Sequence, residues 1–245
     1  MIFNLKRPAF GEGAYTFDGS EPPGWEAQGA DWMMSIPVSG TLIIFAPMIH
    51  VDLLLVAGGQ PGDDGAADTG GKGGDGGGLL SLTDVSLPAG AYTVTVGGSG
   101  EDTVLVGPNG ETWTAVSGQG KAGGGKSETG TAGDYAWNDP DTLLNPGWRY
   151  GAGGGHGATH NAGESRTNST AGGSVGDASD DPYVGHGGGI EAYAETHPVG
   201  WDGAPRTGQG GGGGRGWYNQ WAQGADGGAG GSGNVLIRKH KEATA

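Results

Sequence analysis

Between Gly120 and Ser127 the chain reads Gly-Lys-Ala-Gly-Gly-Gly-Lys-Ser, the spacing G-x-x-x-x-G-K-[ST] of a phosphate-binding loop. Such a loop works because a helix N-terminus behind it aims its N–H groups and its dipole at the phosphates. Here the continuation is Glu128-Thr129-Gly130-Thr131-Ala132-Gly133, which cannot sustain a helix, so the match reads as a chance product of a glycine-rich chain. Asp63, Asp64, Asp68 and Asp75 offer oxygens suited to a hard cation. Gly70 to Gly78 also approaches a calcium-binding repeat, but Gly77 occupies its apolar position and the repeat acts only in tandem. A solvated acidic loop is the simpler reading. His156 and His160 have the i, i+4 spacing of a zinc-binding helix but no helix signal and no intervening glutamate, and with His186 and His197 they read as loop histidines. No Ser-His-Asp order, paired-carboxylate cleft or nucleophile elbow stands out. The expectation is a non-enzymatic protein with no catalytic residues, no metal and no cofactor.

The chemistry that does stand out is non-covalent recognition. Tyr135, Trp137, Trp148, Tyr150, Tyr183, Tyr193, Trp201, Trp217, Tyr218 and Trp221 lie between glycine tracts among Asn, Asp, Ser, Thr and Gly. That mixture is the composition of an antibody paratope, where rigid aromatics supply contact area and small polar residues adapt. Trp137, Trp148, Tyr150, Tyr183, Tyr193, Trp201, Trp217, Tyr218 and Trp221 are therefore the candidate binding residues. Because tryptophan is mostly buried on average, roughly half of the set is expected to pack or cap rather than to face a partner.

Elements that hold such loops must come from the glycine itself. Six stretches place glycine at every third position or more often: Gly70 to Gly78, Gly120 to Gly125, Gly151 to Gly157, Gly185 to Gly189, Gly208 to Gly216 and Gly224 to Gly233. Three is the repeat of a polyproline II helix, which has no internal hydrogen bonds and presents its N–H and C=O groups sideways. Several such helices side by side satisfy one another if glycine on the inward positions lets the backbones approach. Glycine makes up 59 of 245 residues, and each loses the most backbone entropy of any residue type on ordering, so an ordered fold needs dense lateral bonding. A flexible linker is the competing reading. The interleaved aromatics and apolar strands favour ordered packing, and the 13 prolines fall short of collagen.

The strand pattern is all-β. Thr41 to Phe45, Val51 to Val56, Leu79 to Val85, Ala91 to Val96, Thr103 to Val106 and Thr112 to Val116 are short β-branched or apolar runs divided by Gly, Pro and Asn. Asn109-Gly110 marks a hairpin, and the alternation of Tyr92, Val94 and Val96 with Thr93 and Thr95 gives one buried and one wet face. Asn234 to Lys239 is a last strand that returns to the same sandwich. The expected fold is a β-sandwich with a glycine-rich polyproline II bundle inserted before the final strand. Residues 1–36 form an N-terminal arm, 37–117 plus 234–245 the sandwich, and 118–233 the glycine-rich region with exposed loops.

A net charge of −15 argues against nucleic acid, whose binding draws on Lys and Arg. No cysteine is present, so disulfides and thiolate metal sites are excluded. The start, Met1-Ile2-Phe3-Asn4-Leu5-Lys6-Arg7-Pro8, lacks the apolar run of a signal peptide, and Val51 to Ala57 is too short to cross a bilayer as a helix. The expectation is a chain that reaches its site by assembly or lysis, without membrane insertion. Asn168-Ser169-Thr170 matches a glycosylation acceptor, which matters only in a eukaryotic secretory context.

Three segments in order resemble the glycine-rich domains of bacteriophage tail fibre and tail tip proteins. They are Val51-Asp52-Leu53-Leu54-Leu55-Val56-Ala57-Gly58-Gly59, Leu87-Pro88-Ala89-Gly90-Ala91-Tyr92-Thr93-Val94-Thr95-Val96-Gly97, and Gly230-Gly231-Ser232-Gly233-Asn234-Val235-Leu236-Ile237-Arg238. The resemblance implies a virion tail protein whose partners are other virion tail proteins and a host cell-surface protein or glycan, with homo-oligomerisation open. It implies a receptor-binding adhesin or tail-tip protein. The alternative is a purely structural baseplate, fibre or capsid-decoration subunit; an enzyme degrading a surface polysaccharide ranks third. The N-terminal arm has no counterpart in that resemblance.

Overall fold

The computed structural model describes residues 3–5, 15–28, 31–66, 69–124, 134–135, 149–154, 200–214 and 224–239. Its strands are β1 (Phe3–Leu5), β2 (Tyr15–Phe17), β3 (Gly24–Gln28), β4 (Asp31–Ile36), β5 (Gly40–Ile44), β6 (Met48–Val56) and β7 (Leu79–Leu87). After them come β8 (Gly90–Thr95), β9 (Thr103–Val106), β10 (Thr112–Ala115), β11 (Asp134–Tyr135), β12 (Arg149–Tyr150) and β13 (Asn234–Lys239). The fold is all-β, with two principal antiparallel sheets, ordered β1-β2-β5-β8-β9-β10 and β3-β4-β13-β6-β7, and a short β11-β12 pair. The seven runs expected from sequence are β5 to β10 and β13, each within a few residues of its expected bounds.

Alternation builds the core. The inward residues Tyr15, Phe17, Leu42, Ile44, Tyr92, Val94 and Leu105 of the six-stranded sheet meet Trp32, Met34, Ile36, Val51, Leu53, Leu55, Val235 and Ile237 of the five-stranded one. At roughly 1.5–3 kcal/mol for each fully buried large apolar side chain, this layer is the main driving force of the sandwich. The five-stranded sheet is buried on its other face as well, where Met33, Leu54, Val56 and Leu236 pack with Tyr150. Burial on both faces explains why Val51 to Val56 reads as a continuous apolar run rather than an alternating one. The exception in that run, Asp52, is 0 % exposed. Its carboxylate accepts from Arg238 Nη2 at 2.8 Å and Nε at 3.3 Å and from the Asp84 N–H at 3.1 Å.

Residues 3–36 supply two strands to each sheet. β2 pairs with β5, in register Tyr15 with Ile44, and β4 pairs with β13, in register Ile36 with Val235. β13 thereby lies between β4 and β6, nearly two hundred residues apart from each in sequence, which is how the last strand closes the sheet.

The Asn109-Gly110 turn forms as its sequence requires: Gly110 has φ 89°, and Gly107 N–H donates to the Glu111 carbonyl at 2.8 Å. The Asn109 side-chain amide, donating at 2.9 Å, holds the Glu111 carboxyl below its ordinary range. Beneath this hairpin Tyr92 donates its hydroxyl to the Pro88 carbonyl at 2.8 Å. Burial, and then the Glu111 charge, push its phenol up to about 12. The unfolded phenol ionises near 10, at about pH 10, so Tyr92 stabilises the fold fully below that pH and the contribution is lost as pH rises towards 12. The melting temperature is expected to fall across that interval, and Tyr92→Phe to flatten the fall, in thermal scans taken at stepped alkaline pH.

Candidate functional site

Seven glycine tracts lie beside the sandwich: residues 58–65, 70–78, 117–124, 151–154, 200–204, 208–214 and 224–233. Their backbones bond laterally at every third residue. Ala57, Gln60, Asp63 and Ala66 donate to the carbonyls of Gly78, Asp75, Lys72 and Thr69. Gly59, Gly62 and Gly65 donate to Gly231, Gly228 and Ala225, while Gly71, Gly74 and Gly77 donate to Gly214, Gly211 and Gly208. Constant index sums make these three pairings antiparallel. Gly211 and Gly214 donate to Gln60 and Asp63, so 208–214 runs parallel to 58–65. Every such bond is between 2.6 and 3.2 Å.

Position in the array explains the local sequence. Residues 208–214 bond to five other tracts, those containing Gln60, Gly74, Ala152, Trp201 and Gly228, and are buried throughout. With a neighbour on every side, almost nothing larger than glycine fits, and the stretch reads Gly-Gln-Gly-Gly-Gly-Gly-Gly. The outer tracts keep glycine at inward positions and place Pro61, Lys72, Ala122 and Asp226 outward, all but Lys72 and Asp226 uncharged. A Cβ on inward Gly74 would stand 2.1 Å from the Gln60 carbonyl oxygen, which no side chain tolerates.

Some N–H groups of the array have no backbone acceptor among the described residues, and side chains serve them instead. Asp64, Asp75 and Asp202 accept from Gly227 at 2.9 Å, Gly123 at 2.8 Å and Ala229 at 2.7 Å, and Ser99 accepts from Gly230 at 2.7 Å. Among the residues weighed as a cation site, Asp64 and Asp75 thus hold the backbone, Asp75 also pairing with Lys72 at 3.2 Å; Asp63 is exposed, and Asp68 lies outside the described residues. No group of three potential metal ligands occurs among the described residues. Asp202→Ala is expected to lower stability by about 1 kcal/mol, the net worth of one such bond, and Asp202→Asn, which keeps an acceptor, by less; urea denaturation checks both.

Of the candidate binding residues, the structure describes two. Tyr150 is 1 % exposed and packs on the outer face of the five-stranded sheet. It also walls a cleft of about 170 Å³ with Leu79, Gln119, Gly120, Lys121, Asp134 and Gly151. Lys121, the first lysine of the phosphate-loop match, pairs there with Asp134 at 2.9 Å, and Gly120 and Gly124 bond within the array. Trp201 is half-buried, and its carbonyl accepts from Gly212 at 2.8 Å. Trp137, Trp148, Tyr183, Tyr193, Trp217, Tyr218 and Trp221 lie outside the described residues, as do His156, His160, His186, His197 and Gly185 to Gly189.

The flanks of those segments are described. Gly214 bonds to Asp63, Gly65 to Ala225, and Gly200 to Asp226, so the ends flanking 215–223 and the end following 199 meet at one level, remote from β6. Gly154, which precedes residue 155, bonds to Gly74 one period nearer the sheets. Sequence reasoning missed two tracts, 58–65 and 200–204. Their signal was glycine at 59, 62 and 65 and at 200 and 203, spacing three without density.

Against known protein families, the glycine-rich domain matches residues 37–240. This chain belongs to the glycine-rich domain family. The domain so defined opens between β4 and β5 and closes after β13, so both sheets' central strands and all seven tracts fall within it. The strands β1 to β4 precede it and extend the glycine-rich domain at β5 in one sheet and at β13 in the other. No curated protein matches the sequence.

Proposed function

We propose that the tracts are polyproline II helices packed as a rigid bundle, and that the protein is a non-enzymatic bacteriophage tail component. In this reading it is a receptor-binding adhesin or tail-tip protein, located in the virion tail. The sandwich attaches to other virion tail proteins, and loops carried by the bundle recognise a host cell-surface protein or glycan. The observation that carries the reading is the common level of Gly200, Gly214 and Ala225, remote from the sheets, between and beside which the aromatic-rich segments are strung. Binding residues are commonly borne on loops of a rigid scaffold, and Trp217, Tyr218 and Trp221 have the types that dominate interfaces. Several copies on one particle raise the effective concentration of each, so single contacts can be weak.

The purely structural alternative, a baseplate, fibre or capsid-decoration subunit, draws support from the uncharged sheet face described below. Binding of the purified chain to host cells separates the two. The adhesin reading expects saturable binding that competes with particle adsorption and falls at least tenfold in a Trp217→Ala, Tyr218→Ala, Trp221→Ala triple variant of unchanged melting temperature. Particles that adsorb equally well whether or not they carry the protein would support the structural subunit.

A further inference from the structure

Alternation gives the six-stranded sheet an outer face as uniform as its inner one. Register aligns Thr41, Thr93, Val106 and Thr112 in one row across β5, β8, β9 and β10. None of the outward positions of β2, β5, β8, β9 and β10 is ionisable; Asp18 and Asp102 stand only at its rim, each accepting a backbone N–H, from Thr41 and Ser117. Four large apolar side chains are exposed among the described residues. Three of them continue this face: Ile43 at 37 %, Phe45 at 56 % and Val116 at 37 %.

We infer that this face is a self-association surface, whose occupant is the same face of a second copy, sheet stacked on sheet about a twofold axis. Two observations select a copy of this chain. The molecule carries a net charge of −15, so two copies repel wherever their carboxylates meet, and this face is where they approach without facing charge. A face lacking both signs has nothing to select an acidic or a basic partner, whereas its Thr, Val and Ile are complementary to themselves, as an isologous contact requires. Size sets the strength: the twelve outward positions of these five strands, Phe45 and Val116 included, at ~4.8 by ~6.8 Å each, cover roughly 390 Å² per copy, or about 780 Å² in all, below the roughly 1,000 Å² of a stable specific contact and in the range of a transient one. A contact of that size is weak and reversible. Added salt screens the repulsion between the copies and strengthens it.

Sedimentation equilibrium of the full chain, from about 1 to about 300 µM at low and at about 0.5 M salt, tests this. The expected result is a monomer–dimer equilibrium that tightens at least threefold in high salt. Ile43→Glu and Thr93→Glu are both expected to weaken it more than tenfold, with melting temperatures unchanged because the side chains lie outside the core. A single chain at every concentration would overturn the inference, as would association that weakens with salt, that exceeds two copies, or that neither glutamate disturbs.

Discussion

Gly211→Ala is expected to destabilise the protein by about 3 kcal/mol or more, the upper range for overpacking a close-packed site. The added methyl would lie 2.1 Å from the Gly228 carbonyl oxygen and 2.7 Å from that of Ala229. Both are backbone atoms of a neighbouring tract, so no rotamer change relieves the clash. Moving that tract away breaks the bond by which Gly62 donates to the same Gly228 carbonyl, and Gly211 itself donates to Gln60. One methyl therefore disturbs three tracts. Gly154→Val behaves alike, its Cβ meeting the Gly211 carbonyl oxygen at 2.0 Å. Gly24→Ala on β3 is the control: its nearest neighbour would be the Ser35 Cβ at 3.8 Å, an ordinary contact, and the change is expected to stay within about 0.5 kcal/mol. In thermal scans, about 3 kcal/mol in a domain of this length is a fall of roughly 6–12 °C.

Arg238→Met is the second large effect. Asp52 is fully buried in the middle of β6, and the guanidinium is its charge partner, through Nη2 at 2.8 Å and Nε at 3.3 Å. Methionine takes that guanidinium away from a carboxylate that stays buried in the sheet and to which the Asp84 N–H, a neutral donor, still donates. Removing one partner of a buried pair typically destabilises by about 3–5 kcal/mol, whereas replacing both by apolar groups is often near neutral. The double variant Asp52→Leu, Arg238→Met is therefore expected to be more stable than the single one, despite the acceptor lost to Asp84. Denaturant midpoints of the two variants and the parent give the comparison; a single variant as stable as the parent would show that the pair contributes little.

How far the sequence revealed this fold follows from how local each signal is. The alternation of Tyr92 to Val96 and the Asn109-Gly110 turn act within a few residues, and β8 and the β9-β10 hairpin are where they were expected. β13 was legible as a strand because Asn234 to Lys239 is apolar on both faces. β3 and β4 were not: they are ordered by pairing with each other and with β13, two hundred residues away, and Pro22-Pro23 just before them reads as loop. The glycine tracts divide the same way. The tract at 208–214 announces itself because a central rod must be glycine on every side, while 58–65, at the margin, needs glycine only inward and carries Gln60, Pro61, Asp63 and Asp64. Tyr150 was read as a contact residue because composition between tracts resembles a paratope; its burial depends on the outer face of the five-stranded sheet, which no local pattern reveals. Asp64, Asp75 and Asp202 were legible as acidic, but their bonds to backbone N–H groups depend on which tract stands alongside.

The central claim is that lateral bonds at every third residue make the glycine region as ordered as the sheets. Residue-resolved amide hydrogen exchange on the intact chain tests it most directly. Along 70–78 the N–H groups of Gly71, Gly73, Gly74, Gly76 and Gly77 donate to neighbouring tracts, and no described residue accepts from the backbone N–H of Lys72 or of Asp75. Slow exchange at those glycines, matching β6 and β13 and interrupted by fast exchange at Lys72 and Asp75, is the predicted result. Fast exchange throughout 70–78 and 208–214, at the rates of an unstructured chain, would contradict it.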